Sequence, residues 1–325
     1  MRRNSIDKLM TLNFWRICTA NLLFFVSVHM LFPLLPFEMG RQLNISAGQA
    51  GGLFLVFAAA MFVIGPFHAY LVDEYKRKHV LLLSMLVTLV ATLGYAFVDS
   101  YVKLLLLASV QGACFGLAVT AGITVSIDII SSTCRSAGNT FYAWAARLGM
   151  LAGAVAGICV YRSYGFRMLT YLSAAVSLLG MLFASRVYVA FRAPIGMRLC
   201  NIDRFLLPRA WIMALNMSLM AFVPGLLLPL MITGNYWALA ALALLAFITI
   251  PLIKMFIKLS CHCQRGTANT TCYLSVETGF LIGIAVGCLL MNEAQIYRAA
   301  SIAVLLAVCF FILLAYPSYK KKRVR

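Results

Sequence analysis

RSAGNTFYAWAARLGMLAGAVAG at residues 135–157 and RGTANTTCYLSVETGFLIGIAVG at residues 265–287 are two versions of one segment. Aligned at an offset of 130, they share Arg135/Arg265, Asn139/Asn269, Thr140/Thr270, Gly149/Gly279, Gly153/Gly283 and Gly157/Gly287. At one matched position the charge inverts: Arg147 faces Glu277 in the alignment. A duplicated, glycine-spaced, apolar segment with one buried-looking cation and one anion implies a chain built from two related halves.

The surrounding composition sets the solvent. The 325 residues are 63% hydrophobic and 11% charged, with mean hydropathy +0.94. Soluble domains are about 45–50% apolar and about 25% charged, so this chain belongs to the membrane class. Apolar runs near 14–36, 49–71, 80–98, 104–128, 139–161, 167–186, 208–232, 236–257, 270–291 and 297–316 predict ten helical crossings. Each is long enough for a hydrocarbon core of about 30 Å. The start MRRNSIDKLM has no small-residue cleavage site, so the first run reads as a retained span.

The formal charge of +18 does not imply nucleic acid, because of where the cations lie. Arg2, Arg3, Lys8, Lys76, Arg77, Lys78, Arg192, Arg198, Arg204, Lys320, Lys321, Lys322, Arg323 and Arg325 fall on one side of the ten-crossing scheme. The other side holds scattered cations such as Arg41, Arg162 and Arg298. That asymmetry predicts cytoplasmic termini; the location expected for the chain is a bacterial-type inner membrane. Most of the ten cysteines lie in spans or on the cytoplasmic side, so no disulfide framework is expected. Cys261-His262-Cys263 is too short a ligand set for a zinc site, and no metal or cofactor is expected.

The longest polar break, RVYVAFRAPIGMRLCNIDRFLLPRA, divides the chain into a six-span bundle (1–190), a loop (191–209) and a four-span bundle (210–325). Repeated halves are a construction of secondary transporters, with the substrate site between them near mid-membrane. Because span five matches span nine, the second half is two helices short. Extending the repeat upstream sets span eight against span four, with Asp128 opposite Lys258. The lost pair would then correspond to spans two and three.

GPFHAYLVDEYKRKHVLLL (residues 65–83) resembles the loop signature of the major facilitator superfamily, in which an Asp and a basic pair precede the next helix. Asp73, Arg77 and Lys78 fit; Ala69, Glu74 and Lys76 depart from it. FPLLPF ending span one, Gln111-Gly112 in span four and the Gly149, Gly153, Gly157 series agree, with Ala154 where drug antiporters of the family carry proline. The resemblance implies an all-α polytopic fold of pseudo-two-fold helical bundles, and transport of a small molecule by alternating access without covalent catalysis. It tilts toward proton-coupled efflux.

It also implies a cytoplasmic gate of Asp73, Arg77, Lys78, Asp128, Arg135 and Arg265, with Asp73 capping the helix that starts near Asn269 and Arg77 reaching Asp128. A solvated turn fixing topology is the other reading of that loop. Arg147 and Glu277 lie eight residues beyond Asn139 and Asn269, about 12 Å along a helix. Charges at such depth avoid lipid and mark a partner or a pathway. They are therefore expected to face a central cavity and interact, with Glu277 as proton carrier; a permanent structural ion pair is the alternative. His29 and Gln111 are further pathway candidates, though each is also explained by a hydrogen bond between helices. The glycines of both series serve either a sliding interface or a fixed packing seam. The partners implied are a small molecule, protons and the bilayer. The rival class is a non-transporting, shortened relative kept for membrane assembly.

Overall fold

The computed structural model describes residues 11–131, 133–190, 196, 198–261, 264–290 and 292–323. Arg2, Arg3, Lys8, Arg192, His262, Cys263 and Arg325 lie outside the described residues.

The chain is helical along almost its whole described length, because an apolar backbone in lipid must satisfy its own N–H and C=O groups. The elements are α1 (Leu12–Leu31), α2 (Leu35–Leu43), α3 (Ala47–Val63), α4 (Gly65–Glu74), α5 (Arg77–Gly94) and α6 (Tyr101–Ile129). They continue with α7 (Arg135–Ser185), α8 (Ile202–Phe205), α9 (Trp211–Leu227), α10 (Trp237–Leu259), α11 (Arg265–Leu289), α12 (Glu293–Phe310) and α13 (Tyr316–Lys322). Polar residues at the entries set their starts. The Thr11 hydroxyl accepts from Phe14 N at 3.2 Å, and Ser46 and Gln49 form a reciprocal capping box at the head of α3. Asn292 accepts from Gln295 N at 2.8 Å at the head of α12.

Helix α7 merges two of the expected spans. As a straight rod its 51 residues would measure about 77 Å, more than two bilayer cores. Gly165 breaks it at φ 78, a conformation that side chains disfavour, into an arm of 135–164 and an arm of 166–185. Helices α3 and α4 form one span bent by 50° at Ile64–Gly65. Among the described residues eight helices, or nine with that bent pair, are long and apolar enough to cross a membrane. Asn13, Tyr188 and Lys322 mark the terminal end of the bundle, where Asn13 Nδ2 donates to Tyr188 O at 3.4 Å.

The repeat becomes three-dimensional in the helix pairs. Arm one of α7 packs on α1, and α11 packs on α9. A Cβ at Gly149, Gly153 or Gly157 would strike the carbonyls of Leu22, Val26 and Met30. A Cβ at Gly279, Gly283 or Gly287 would strike those of Ser218, Phe222 and Leu226. Both seams lie within a half, so the six glycines permit close helix packing there. The contacted carbonyls differ by 218 − 22 = 196, whereas the glycines differ by 279 − 149 = 130. Sixty-six residues (196 − 130) are thus missing between α9 and α11 relative to the first copy, about the length of two crossings with their loops. Three crossings separate the packed pair in the first copy and one, α10, in the second.

Burial ranks the helices. In α1 and α11, 72% of the apolar window is buried, against 22% in the helix from Glu293 to Lys322. The first two are therefore central, and the last lies on the periphery.

At the far end, Glu38 on α2 accepts from Arg41 Nη2 and Gln42 Nε2, each at 2.8 Å, and from Tyr161 Oη at 2.8 Å. Burial would raise its carboxyl; the bonds from Tyr161, Arg41 and Gln42 outweigh that and hold it below the usual carboxylate range. A carboxyl lowered by folding stabilises above its unfolded pKa and loses that contribution as pH falls through its folded one. Glu38→Gln is accordingly expected to lower the melting temperature by a few degrees at neutral pH. Melts repeated at stepwise lower pH should show the gap closing below the ordinary carboxylate range. A gap independent of pH would refute the assignment.

Candidate functional site

Helices α7 and α11 start at Arg135 and Arg265, one turn before Asn139 and Asn269. The two asparagines are therefore buried inside helices and are not their openers. Arg147 and Glu277 each stand twelve residues from the first helical residue, about 18 Å in, close to mid-membrane.

There they meet. Arg147 Nη1 donates to Glu277 Oε1 at 2.8 Å, with both side chains 1% exposed. An ionised group in a hydrocarbon interior is tolerated when a counter-charge and hydrogen bonds replace its water. Arg147 Nη1 also reaches Met150 Sδ at 2.8 Å. The guanidinium lies 5.5 Å from the Phe25 ring centre and 5.1 Å from that of Tyr273, so two aromatic faces supplement the carboxylate.

His29 completes the centre. Its Nδ1 lies 2.9 Å from the Phe25 carbonyl, which can only accept, so Nδ1 carries hydrogen. Nε2 then presents a lone pair toward Glu277 Oε2, 3.3 Å away. Two acceptors facing one another across that gap form a place for one proton, on the imidazole or on the carboxyl. Phe25, Phe32, Phe115 and Phe280 surround the imidazole at 4.9–6.5 Å and keep the spot dry. With Arg147 2% exposed and Glu277 and His29 each 1%, this conformation is occluded.

Gln111 does not belong to this cluster. It accepts from Tyr95 Oη at 2.8 Å and donates to Thr92 Oγ1 at 3.0 Å, tying α6 to α5 within the first half. Of its two expected roles, a helix–helix hydrogen bond is the one it fills here.

At the terminal end, Arg77 pairs with Asp128 at 2.5 Å and with Asp73 at 3.7 Å. Lys78 lines an adjoining cavity of about 320 Å³ with Lys76, His79 and Tyr188. Arg135 and Arg265 stand at the first positions of α7 and α11. Helix α11 begins at Arg265, one turn before the start expected near Asn269, and Asp73 forms an ion pair with Arg77.

Sequence reasoning missed Met150 and the bracketing role of Tyr273, whose only signal is a position one turn from each charge. It also missed His68, 0% exposed, whose Nδ1 lies 2.9 Å from Thr120 Oγ1.

The comparisons agree with this architecture. The family model described as Major Facilitator Superfamily matches residues 17–199. Among solved structures, the chain is similar to a mutant form of the nucleoside transporter NupG, with a TM-score of 0.63 at 13% identity, covering 94% of this chain and 100% of that one. At that identity the likeness speaks for the fold alone.

Proposed function

Since the chain belongs to the Major Facilitator Superfamily, a family of secondary transporters, we propose that it carries a small molecule by proton-coupled efflux through alternating access at the Arg147–Glu277–His29 centre. The carrying observation is the triad itself: an acid and a base from duplicated helices, joined at mid-depth, with an imidazole nitrogen facing the second carboxylate oxygen.

The physical cycle follows from competition. With Glu277 ionised, Arg147 is its counter-charge, and the two copies are held together. On the cytoplasmic side a substrate donor group takes Glu277 Oε2, which makes no hydrogen bond among the described residues, while the aromatic walls hold its apolar body. On the opposite side a proton arriving on Glu277 by way of His29 removes that acceptor and expels the substrate. Release of the proton to the cytoplasm restores the ionised pair, so proton and substrate cross in opposite directions. The basic terminal end is the cytoplasmic one on this reading, and the Asp73–Arg77–Asp128 cluster is part of its gate. The halves comprise six crossings (1–190) and four (210–325), joined by 191–209. Helix α10 lies against arm one of α7 as α3 lies against α11, a relation that favours α10 as the counterpart of the α3–α4 span and not of span four, as the upstream extension of the repeat had it; the lost pair would then be spans three and four.

The test is uptake and efflux in sealed proteoliposomes under an imposed proton gradient, across a panel of sugars, nucleosides and amphiphilic drugs. Nucleosides are included because of the transporter whose fold is matched. Glu277→Gln is expected to retain substrate binding and abolish gradient-driven movement, about a hundredfold loss, while leaving exchange intact. Full gradient dependence in that variant would remove Glu277 and His29 from the proton path. Inactivity of the wild type across the panel would favour the non-transporting reading.

A further inference from the structure

We infer that the segment Asn201–Leu207 is the latch of the terminal gate and Phe205 its plug, so that this end opens only when Phe205 leaves its notch; the inference rests on the alternating-access reading above. No residue of this segment belongs to the charged cluster at Arg77.

The segment bridges the two copies. On one side Asn201 N donates to Pro66 O at 2.9 Å, at the head of α4. On the other, Leu207 N donates to Thr271 Oγ1 at 2.9 Å, and Thr267 Oγ1 donates to Arg204 O at 3.1 Å, both on α11. Between these ties, the single turn α8 aims Phe205 into the angle of the bent α3–α4 span. Its ring is 2% exposed. It stands edge-on to Phe62 at 5.8 Å and to His68 at 5.4 Å.

The notch is shaped for a ring. A Cβ at Gly65 would overlap the Phe205 ring, so only glycine at the bend leaves the space. One wall is His68. The Thr120 hydroxyl donates to Gly116 O at 3.0 Å, so His68 Nδ1–H is the donor in its 2.9 Å bond to Thr120 Oγ1. His68 Nε2 makes no hydrogen bond among the described residues and is closed in beside Phe205. Closure therefore combines two opposed terms: burial of an aromatic ring favours it, while an imidazole nitrogen denied water opposes it. A latch whose terms nearly offset one another can be opened by a modest change in affinity for the two states, as alternating access requires.

Separation of the copies at this end must break the bonds to Pro66 or those to Thr267 and Thr271, because the segment holds both. The single bond to Pro66 is the one that breaks on this inference, while the two bonds to α11 hold, so Phe205 leaves with α11 and the notch empties. The latch is thus a gate element, not only a tether.

The test uses buried native thiols as reporters. Cys18 on α1 and Cys272 on α11 are 3% and 1% exposed. They lie six and seven residues from the starts of their helices, about 10 Å from the terminal end. Cys288 lies near the other end. N-ethylmaleimide labelling of the full chain in liposomes, resolved by peptide mass spectrometry, is compared among wild type, Phe205→Ala, Gly65→Ala and Phe205→Leu.

Phe205→Ala and Gly65→Ala are expected to speed modification of both Cys18 and Cys272 about tenfold and to leave Cys288 unchanged or slower, with Phe205→Leu near wild type. Unchanged rates in both variants would overturn the latch. So would acceleration of Cys272 alone, which would mean a loosened segment without parted copies. Equal acceleration of Cys288 would mean general unfolding and would also overturn it. Labelling needs no substrate, so its result stands apart from the transport assay.

Discussion

Arg147→Ala is expected to destabilise the protein by about 3–5 kcal/mol, because it leaves the Glu277 carboxylate buried without its counter-charge. The expectation rests on position: the two side chains are 1% exposed and 2.8 Å apart. A surface pair of this geometry would be worth about 0–1 kcal/mol, since water takes over when one partner leaves. Here water is excluded by Phe25, Tyr273 and Phe280.

Glu277→Ala is expected to cost a similar amount for the mirrored reason. The double variant Arg147→Met with Glu277→Gln should recover much of the loss, as removing both charges removes the desolvation penalty along with the attraction. Thermal melts of wild type, the two single variants and the double variant in one detergent form a double-mutant cycle whose coupling term isolates the pair. Additive single effects would show that the two charges do not depend on one another, and the site would lose its central member.

The second large effect is steric. Gly279→Ala places a methyl group against the carbonyl of Ser218, and Gly279→Leu drives α11 away from α9. Overpacking of one methyl costs about 1–3 kcal/mol, and a leucine removes the close approach altogether. Gly279→Leu is expected to yield no monodisperse protein, and Gly279→Ala a clear drop in melting temperature. Gly52 provides the control, since a Cβ there meets nothing closer than the Tyr101 hydroxyl at 3.7 Å, and Gly52→Ala should behave as wild type. Size-exclusion profiles and melts of the three variants check the result. A well-folded Gly279→Leu would mean that the seam is loose and that the carbonyl contacts are not what hold the pair.

Much of this architecture is legible in the chain because lipid simplifies the code. A crossing needs about 20 apolar residues, and the spans show as such. The inverted charge within the repeat points to a central pair, because duplication puts matched positions at matched depth. Depth itself is harder to read: polar Asn139 and Asn269 look like helix openers, but the helices extend a turn further out to Arg135 and Arg265. Polarity within a span signals a neighbour as readily as an end. Gln111 illustrates the same ambiguity, as its amide serves Tyr95 and Thr92.

The latch is not legible. Its parts are Pro66, Phe205, Thr267 and Thr271, spread over most of a 325-residue chain, and none is unusual for its local context. Gly65-Pro66 signals a bend, but what fills the bend is decided by which loop returns to it.

Sequence alone determined the succession of apolar crossings, the duplication and the presence of one acid and one base at equivalent depth. These follow from local energetics, since each helix must satisfy its own backbone in hydrocarbon. Tertiary structure alone decided that His29 joins the pair with a lone pair facing Glu277, that the glycines seal each half instead of the boundary between them, and that Phe205 fills the bend at Gly65. Those depend on distances between residues remote in sequence, and a periodic apolar pattern carries no record of which faces meet.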